Sequence, residues 1–195
     1  MKTQKRDRRS QRTQRLLSDA LIALMFEKRY DDITIQDILD RANIGRSTFY
    51  EHYWDKRDLI TSEIERVIDL LGQRVETPLQ RTGVFIPSLA LFQHVREQQR
   101  LFQALQRGQG IETITQAFQD HLRARVEAGL CREGKQGESG ELFAAVASYI
   151  VGAFMSLMQW WLATEMTWSP ERMDALFRDL VLPGVHHLLN QETRL

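Results

Sequence analysis

The sequence predicts an all-α fold, with an N-terminal three-helix helix-turn-helix unit and a larger C-terminal helical bundle, about nine helices in all. Apolar residues recur every three or four positions along most of the chain, and no segment alternates as a β-strand would. The stretch Ile33–Leu59 also places two short helices and a tight turn within about two dozen residues. With 43% apolar and 27% charged residues, the composition is typical of a soluble globular protein.

Basic side chains are concentrated at the N-terminal end of the chain. Residues 1–15 have a net charge of about +6 although the whole chain is neutral, so residues 16–195 carry about −6. The segment is either a solubilising tail or an arm that follows a phosphate backbone, and the neighbouring motif favours the arm. The basic residues, opposed by Asp7 alone, are Lys2, Lys5, Arg6, Arg8, Arg9, Arg12 and Arg15.

The first two helices are defined by apolar stripes and by a cap. Arg29–Asp32 ends the first helix, and Thr34 then caps the second, with Asp37 as its partner in a capping box. The stripe of the first helix contains Leu16, Leu17, Ala20, Leu21, Leu24 and Met25. The inner face of the second contains Ile35, Ile38, Leu39 and Ala42.

The third and fourth helices follow from turn and cap residues. Asn43 tolerates a left-handed backbone in a turn, and Gly45 is an acceptable N-cap for a third helix at Arg46–Tyr53. Asp55 caps a fourth helix and Asp58 occupies its third position. This fourth helix is expected to end between residues 73 and 77.

The remaining chain is expected to form five more helices. The segment Gly129–Gly140 is rich in glycine and charge, so a loop is expected there, and Ser169 before a proline predicts a helix start. We expect domains at residues 1–60 and 61–195. The expected helices are Ser88–Gln98, Arg100–Arg107, Ile111–Ala128, Glu141–Thr167 and Pro170–Asn190.

The third helix shows two different faces. Phe49 and Tyr53 lie four residues apart and can pack inward together. Short polar side chains let a helix approach the floor of a DNA major groove, and an arginine there can donate to guanine edges or to phosphates. The groups outside the apolar face are Arg46, Ser47, Thr48, Tyr50 and His52.

Cations stand at a helix start that ordinarily disfavours them. Lys56 and Arg57 occupy the first turn of the fourth helix, where the helix dipole opposes each by about 0.3–1 kcal/mol. A bound phosphate would reverse that penalty, and the helix start at Thr34 could receive a second phosphate. The alternative is a three-helix unit that only caps a helical bundle, with its surface cations serving solubility.

Residues 10–60 resemble the DNA-binding domain of the TetR family of bacterial transcriptional regulators. The resemblance rests on Thr34-x-x-Asp37-Ile38, on the run from Ala42 to Tyr50, on His52-Tyr53, and on Asp55-Lys56-x-x-Leu59. The family often has glycine where this chain has Asn43 and serine where it has Gly45. Both exchanges suit the same backbone conformations.

The resemblance implies that Arg46–Tyr53 is a recognition helix. It places Ser47 and Thr48 at base-contacting positions. It places Tyr50, His52, Lys56 and Thr34 at phosphate-contacting positions.

The resemblance assigns Thr77–Leu195 to effector binding and dimerisation. Large rings and methionines suit an irregular apolar pocket, and two long helices that are apolar over much of their surface suit a two-fold interface. The residues expected to line the pocket are Phe92, Phe102, Phe118, Phe154, Met158 and Trp161. Those expected at the dimer interface are Phe143, Ile150, Leu157, Leu176 and Leu180.

The resulting functional hypothesis is a homodimeric repressor that a small apolar or amphipathic effector releases from a pseudo-palindromic, double-stranded DNA operator. The alternative is a TetR-like co-regulator that responds to a ligand and contacts another protein without binding DNA directly. Neither needs a cofactor, and no arrangement of residues indicates an enzyme.

Cysteine, histidine and hydropathy patterns favour a cytoplasmic protein without a metal site. Cys131 is a lone cysteine, which fits a reducing compartment. Adjacent residues on a helix point about 100° apart, so the pair His186–His187 does not indicate a metal ligand set. The longest apolar stretch, Leu142–Leu162, is broken by polar residues and is expected to be a buried helix, with no membrane contact.

Overall fold

A computed structural model describes residues 2–73, 86–105, 111–133 and 140–191. Nine α-helices and one short 3-10 helix, Tyr30–Asp32, form all the regular structure in those ranges, which confirms the predicted all-α fold. The helices are α1 (Lys2–Glu27), α2 (Ile35–Ala42), α3 (Arg46–Tyr50), α4 (Lys56–Gln73), α5 (Ser88–Glu97), α6 (Gln99–Leu105), α7 (Ile111–Glu133), α8 (Gly140–Ala163) and α9 (Pro170–Gln191).

The chain forms two compact units. The first unit comprises Met1–Arg66 and Gln98–Ala117, and the second comprises Val67–Glu97 and Phe118–Leu195. The boundaries fall inside α4 and α7, whereas the sequence suggested a single boundary after residue 60. The returning segment of the first unit packs apolar side chains against that unit's core, a tertiary contact that no local pattern reveals: Leu101, Phe102 and Ile114.

The first unit has one apolar core. Helix α1 packs against α2 and against α6. Burying a large apolar side chain contributes about 1.5–3 kcal/mol, and short helices such as α2 and α3 depend on such burial because they are marginal alone. The most buried core residues are Leu17, Leu21, Ile33, Ile38, Leu39, Phe49 and Leu59.

The second unit has a core of aromatic rings. Helices α5 and α8 both pack against α9. Phe92 lies 5.2 Å from Phe154 and 5.3 Å from Trp161, and Phe154 lies 5.4 Å from Phe177, measured between ring centroids. Rings at these distances are in contact. We refer to Phe92, Phe154, Trp161 and Phe177 as the aromatic cluster.

Arg96 holds the turn between α8 and α9. Its Nη2 donates to the carbonyl oxygens of Met166 (2.6 Å) and Trp168 (2.7 Å), and its guanidinium lies 5.4 Å from the ring centroid of Trp161. Glu165 and Met166 have φ angles of 55° and 54°, a left-handed conformation that is uncommon outside glycine. This turn ends α8 at Ala163, four residues before the predicted end.

Two other predicted helix boundaries were wrong. Helix α3 ends at Tyr50 because the amides of His52 and Tyr53 both donate to the carbonyl oxygen of Phe49, which turns the chain. Helix α7 continues through Gly129 to Glu133, because burial of Leu130 outweighs the low helix propensity of glycine. The rest of the predicted loop, residues 134–139, lies outside the described residues.

Among the described residues, one helix, α8, is long and apolar enough to cross a bilayer. It packs against α9, and 44% of its most apolar window is buried within the chain. Phe154 and Trp161 of the aromatic cluster belong to it. These contacts agree with the buried helix predicted from the sequence.

Candidate nucleic-acid interface

A capping box fixes the start of α2, as predicted. The Thr34 hydroxyl accepts from the amide of Asp37 (3.1 Å), and Asp37 Oδ2 accepts from the amide of Thr34 (2.7 Å). The Lys28 ammonium pairs with the same carboxylate at 2.7 Å. Hydrogen bonds from Lys28 and then Thr34 hold the pKa of the Asp37 carboxyl well below its usual range. The exposed Thr34 hydroxyl also donates to Asp37 (2.6 Å), so its proton is already used in the cap.

The turn between α2 and α3 has the predicted geometry. Asn43 adopts φ 52° and ψ 50°, and its amide and that of Ile44 donate to carbonyl groups in the last turn of α2. Gly45 then takes an extended conformation as the N-cap of α3 without a side-chain cap. A Cβ at Gly45 would meet nothing within 4 Å, so a serine would fit there.

Phe49 anchors α3 to the core of the first unit. It is 0% exposed, and its ring lies 5.4 Å from that of Tyr50 and 5.9 Å from that of Tyr53. Tyr53 is also buried, so the predicted inward pair is confirmed. Because this anchor lies on one face, the other faces of the short helix remain available to solvent.

The polar side chains predicted to contact DNA lie on those other faces and in the following turn. Arg46 and Ser47 are exposed, while Thr48 is half-buried. The Arg46 guanidinium makes one long hydrogen bond of 3.4 Å to Gln36 Oε1. Tyr50 keeps 51% of its surface exposed.

His52 and the basic N-terminal segment complete the polar surface of the first unit. His52 is half-buried in the turn after α3, with its ring centroid 6.3 Å from that of Tyr53. Helix α1 begins at Lys2, so the basic segment forms the first turns of a helix. The exposed arginines whose side chains the structure describes there are Arg8, Arg9, Arg12 and Arg15.

The structure corrects the predicted role of Lys56. Its ammonium donates to the carbonyl oxygens of Tyr30 (2.6 Å), Ile33 (2.7 Å) and Asp31 (3.3 Å), and it lies 4.3 Å from the ring centroid of Tyr30. An ammonium has three N–H donors, so these carbonyls occupy all of them. Burial lowers the pKa of Lys56, which is half-buried. Lys56 therefore ties α4 to the segment before α2 and is not oriented toward an outside phosphate.

Two exposed residues beside Lys56 were not in the predicted DNA-binding set. Arg57 is an exposed cation in the first turn of α4, and Trp54 is 88% exposed just before the N-cap Asp55. The sequence signal for Trp54 was a large apolar residue outside any apolar stripe and next to charged residues.

The residues predicted to line an effector pocket fall into two groups. Phe102 packs against the core of the first unit, which removes it from a pocket in the second unit. Phe118 stacks on Phe154 with centroids 6.5 Å apart, and Met158 is buried in the same unit. Phe92, Phe154 and Trp161 are fully buried in the aromatic cluster.

Two residues predicted at a dimer interface belong instead to the core of a single chain. Phe143 and Ile150 are 5% and 0% exposed, so they have little surface to offer a partner. Leu157 and Leu176 are half-buried, and Leu180 is 58% exposed. The helical periodicity of apolar residues indicated that α8 and α9 had more apolar surface than one chain could cover. It did not indicate which of these residues faced outward.

Together, a capped α2, a left-handed turn and a short α3 with an exposed polar face define a helix-turn-helix DNA-binding unit. Two family matches cover most of the chain. Residues 17–62 match the bacterial regulatory proteins of the tetR family, and residues 88–182 match a transcriptional regulator C-terminal region. The chain belongs to the TetR family of bacterial transcriptional regulators, as the resemblance indicated.

A curated relative is similar over part of the chain. The HTH-type transcriptional regulator YxbF of Bacillus subtilis (strain 168) is 44% identical over 61 residues. These residues are 31% of this chain and 16% of the relative, so the match spans about a sixth of the relative's length.

Solved structures share the fold of nearly the whole chain. A TetR transcriptional regulator from Streptococcus agalactiae 2603V has a TM-score of 0.62 at 24% identity, covering 92% of this chain and 99% of that one. The dihydroxyacetone kinase operon activator DhaS has a TM-score of 0.58 at 19% identity, with 89% and 96% covered. NalD of Pseudomonas aeruginosa, the secondary repressor of the MexAB-OprM multidrug efflux pump, has a TM-score of 0.57 at 19% identity, with 91% and 97% covered.

Proposed function

We propose that this regulator is a cytoplasmic homodimeric repressor that binds a pseudo-palindromic operator and is released by a small apolar or amphipathic effector. The observation that carries the DNA-binding part is the exposed polar face of α3 above the buried Phe49 anchor. Arg46 and Ser47 would reach base edges in the major groove, and Tyr50 would reach the backbone. The fold itself does not determine the sign of regulation, because the activator DhaS and the repressor NalD both have it.

Exposed cations of the first unit support several phosphate contacts. Arg46 and Arg57 are exposed, as are the four arginines between residues 8 and 15 of α1. Each neutralised phosphate releases counterions, so operator affinity should fall steeply as salt rises from about 50 to 200 mM. His52 remains a candidate phosphate contact at the edge of this surface, and Thr48 remains a candidate base contact. Thr34 would contact a phosphate only by moving its hydroxyl proton away from Asp37.

Exposed apolar residues on α8 and α9 support the homodimer. On α8, Tyr149 and Trp160 are 56% and 43% exposed, and on α9, Leu180 and Leu188 are 58% and 46% exposed. Solvent exposure of such residues on two packed helices is typical of a surface that a second copy covers. Gly152 lies between the two α8 aromatics, and a Cβ there would meet nothing within 4 Å, so the backbone is open to a partner helix.

The aromatic cluster supports an apolar effector in the second unit. Phe118 is only half-buried beside the fully buried Phe154, so a ligand that displaces Phe118 would reach the cluster. Met158 and Trp161 would extend the same apolar lining.

Helix α4 is the proposed route of coupling between effector and operator. It runs through the boundary between the units, and Lys56 ties its first turn to the segment before α2. In the second unit, Asp69 of α4 accepts from Arg125 Nη1 of α7 at 3.0 Å. A Cβ at Gly72 would lie 2.2 Å from Arg125 Nη2, so glycine there lets the guanidinium take its present position without shifting. A shift of α7 would therefore move α4.

Selection from a random duplex pool tests this proposal. The purified protein should enrich a two-fold symmetric sequence and bind it with a strong inverse dependence on salt. An operator–reporter fusion then gives the sign of regulation, since deletion of a repressor raises reporter output and deletion of an activator lowers it. No enrichment and no binding at low salt would support the alternative, a co-regulator that contacts another protein.

Titration with the apolar dye 1-anilinonaphthalene-8-sulfonate tests the effector part. We expect its fluorescence to rise on binding and operator affinity to fall over the same concentration range. The variant Phe118→Ala should change the dye affinity, whereas Phe26→Ala, an exposed ring in the first unit, should not.

A further inference from the structure

Trp54 has the most exposed large apolar side chain among the residues that the structure describes. Its indole is 88% exposed, compared with 58% for Leu180 and 51% for both Phe26 and Tyr50. Tryptophan is usually well buried in folded chains and is enriched at binding surfaces when it is not. The exposure of Trp54 therefore calls for a partner.

The backbone of Trp54 is held in place on both sides. Its amide donates to Asp58 Oδ2 at 2.9 Å, while the Asp58 amide donates to Asp55 Oδ1 at 2.8 Å. The preceding residue, Tyr53, is 6% exposed and its amide donates to the Phe49 carbonyl oxygen at 2.9 Å. An ordered backbone between a buried ring and a helix cap fixes where the indole is attached, so binding it costs little backbone ordering entropy.

The position of Trp54 next to α3 favours DNA as that partner, although two of its three charged neighbours in the sequence are acidic. Glu51, Asp55 and Arg57 around it are all exposed and charged, so Trp54 is not part of the contiguous apolar patch that a protein interface requires. It comes four residues after Tyr50, the last residue of α3, and so continues the proposed DNA-binding surface. An indole offers a flat apolar face and one N–H donor, which suit a deoxyribose ring and a phosphate oxygen respectively.

We infer that Trp54 is an additional DNA contact, which packs its ring on a deoxyribose of the operator backbone and donates its Nε1–H to a phosphate oxygen. This inference rests on the proposed DNA-binding function and adds to it a contact without charge. Because the indole is neutral, it releases no counterion when it binds a phosphate. It strengthens binding to every sequence alike and carries no base information.

Operator affinity measured across a salt range tests this contact. Trp54→Ala should weaken binding to the selected operator about tenfold, as expected for loss of a hydrogen bond to a charged group together with its packing. The slope of log affinity against log salt should stay unchanged, whereas Arg46→Ala should reduce it by about one. Trp54→Phe, which keeps a ring and loses the N–H, should fall between Trp54→Ala and the unaltered protein. Phe26→Ala is the matched control for losing an exposed ring.

The fluorescence of Trp54 should change on operator binding only if Trp54 contacts the DNA, and not if its role is merely structural. The difference in emission between the unaltered protein and Trp54→Phe isolates Trp54 from the other three tryptophans. Acrylamide should quench this difference signal strongly in the free protein and weakly in the operator complex. Unaltered thermal unfolding of Trp54→Ala is expected from the exposure of the residue and excludes a folding effect.

The outcomes separate the contact from the function on which it rests. Suppose that the unaltered protein binds operator and that Trp54→Ala binds it within twofold of the same affinity. If acrylamide also quenches the Trp54 difference signal of the unaltered protein in the complex, the contact is wrong and the proposed function stands. If the unaltered protein binds no DNA at low salt, the proposed function fails first. A reduced salt slope in Trp54→Ala would also overturn the contact as described.

Discussion

Both units of this regulator bury aromatic rings, but they differ in the side chains that they expose. In the first unit Phe49 is buried as an anchor, and the surface around it carries arginines, hydroxyl groups and one exposed indole. In the second unit the aromatic cluster fills the core, while leucine and aromatic residues remain on the outside of α8 and α9. A polar, basic surface suits a polyanion and an apolar one suits another protein chain. The two surfaces therefore suit different partners, in agreement with the proposed operator binding and dimerisation.

Substitutions in the two cores should show the largest difference in function between the units. Phe49→Ala and Phe154→Ala both remove a ring that is 0% exposed, and each should cost about 3–5 kcal/mol of unfolding free energy. Phe49→Ala should abolish operator binding and leave the dimer intact, because its effect is confined to the first unit. Denaturant unfolding, operator binding and sedimentation measure these effects. Loss of the dimer in Phe49→Ala would show that the comparison between units is wrong.

The exposed leucine of α9 tests the partner proposed for the second unit. Leu180→Glu should convert the dimer to monomers, since a desolvated carboxylate at an apolar interface is strongly unfavourable. The free energy of unfolding of the monomer should change by no more than about 0.5 kcal/mol, because the residue is 58% exposed in a single chain. Light scattering after size-exclusion chromatography measures the mass. A dimer that persists places the interface elsewhere.

Two exposed arginines, Arg46 and Arg41, test whether operator binding by the first unit depends on α3. Arg46→Ala should weaken operator binding by about 1–3 kcal/mol and relax base preference at one position of each half-site. The matched control is Arg41→Ala, because Arg41 is also exposed but pairs with Glu27 at 2.6 Å. Quantitative binding to the selected operator and to its single-base variants gives both quantities. Equal losses in the two variants would contradict a special role for α3.

Substitution of Lys56 distinguishes internal hydrogen bonding by this residue from a contact with a DNA phosphate. Lys56→Met should lower the unfolding free energy by about 1–3 kcal/mol, because it leaves partly buried carbonyl oxygens without their donor. The salt slope of operator binding should remain the same. A reduced slope with unchanged stability would restore the phosphate contact that the resemblance implied.

The smallest expected effect concerns the pH dependence of the α2 cap. The pKa of Asp37 is lowered in the folded chain, chiefly by Lys28, so the charged carboxylate stabilises the folded state above the ordinary aspartate pKa. That contribution is lost as pH falls below about 4. Asp37→Asn should therefore destabilise the protein at neutral pH and show a shallower loss on acidification. Thermal unfolding of both proteins from pH 7 to pH 3 measures the difference, and parallel curves would contradict it.

Local signals predicted the first unit well. The Thr34–Asp37 cap and the left-handed Asn43 involve residues within a few positions of one another, so the sequence contains their whole cause. The apolar faces of α1 and α2 were predicted for the same reason, since helical periodicity is a local property, except that Leu16 is 40% exposed.

Features that depend on tertiary contacts were missed. Lys56 was assigned to phosphate because its partners, the carbonyls of Tyr30 and Ile33, lie more than twenty residues away. Phe102 was assigned to the second unit because nothing local shows that α6 returns to α1. Phe143 and Ile150 were placed at an interface because periodicity identifies apolar faces without identifying what covers them.

Hydroxyl-radical footprinting of the selected operator tests the central claim most directly, because it reports DNA binding and two-fold symmetry together. We expect two protected half-sites about 34–36 Å apart, one helical turn of DNA, and loss of the paired pattern with Leu180→Glu. A single unpaired footprint from the unaltered dimer, or no protection at low salt, would contradict it.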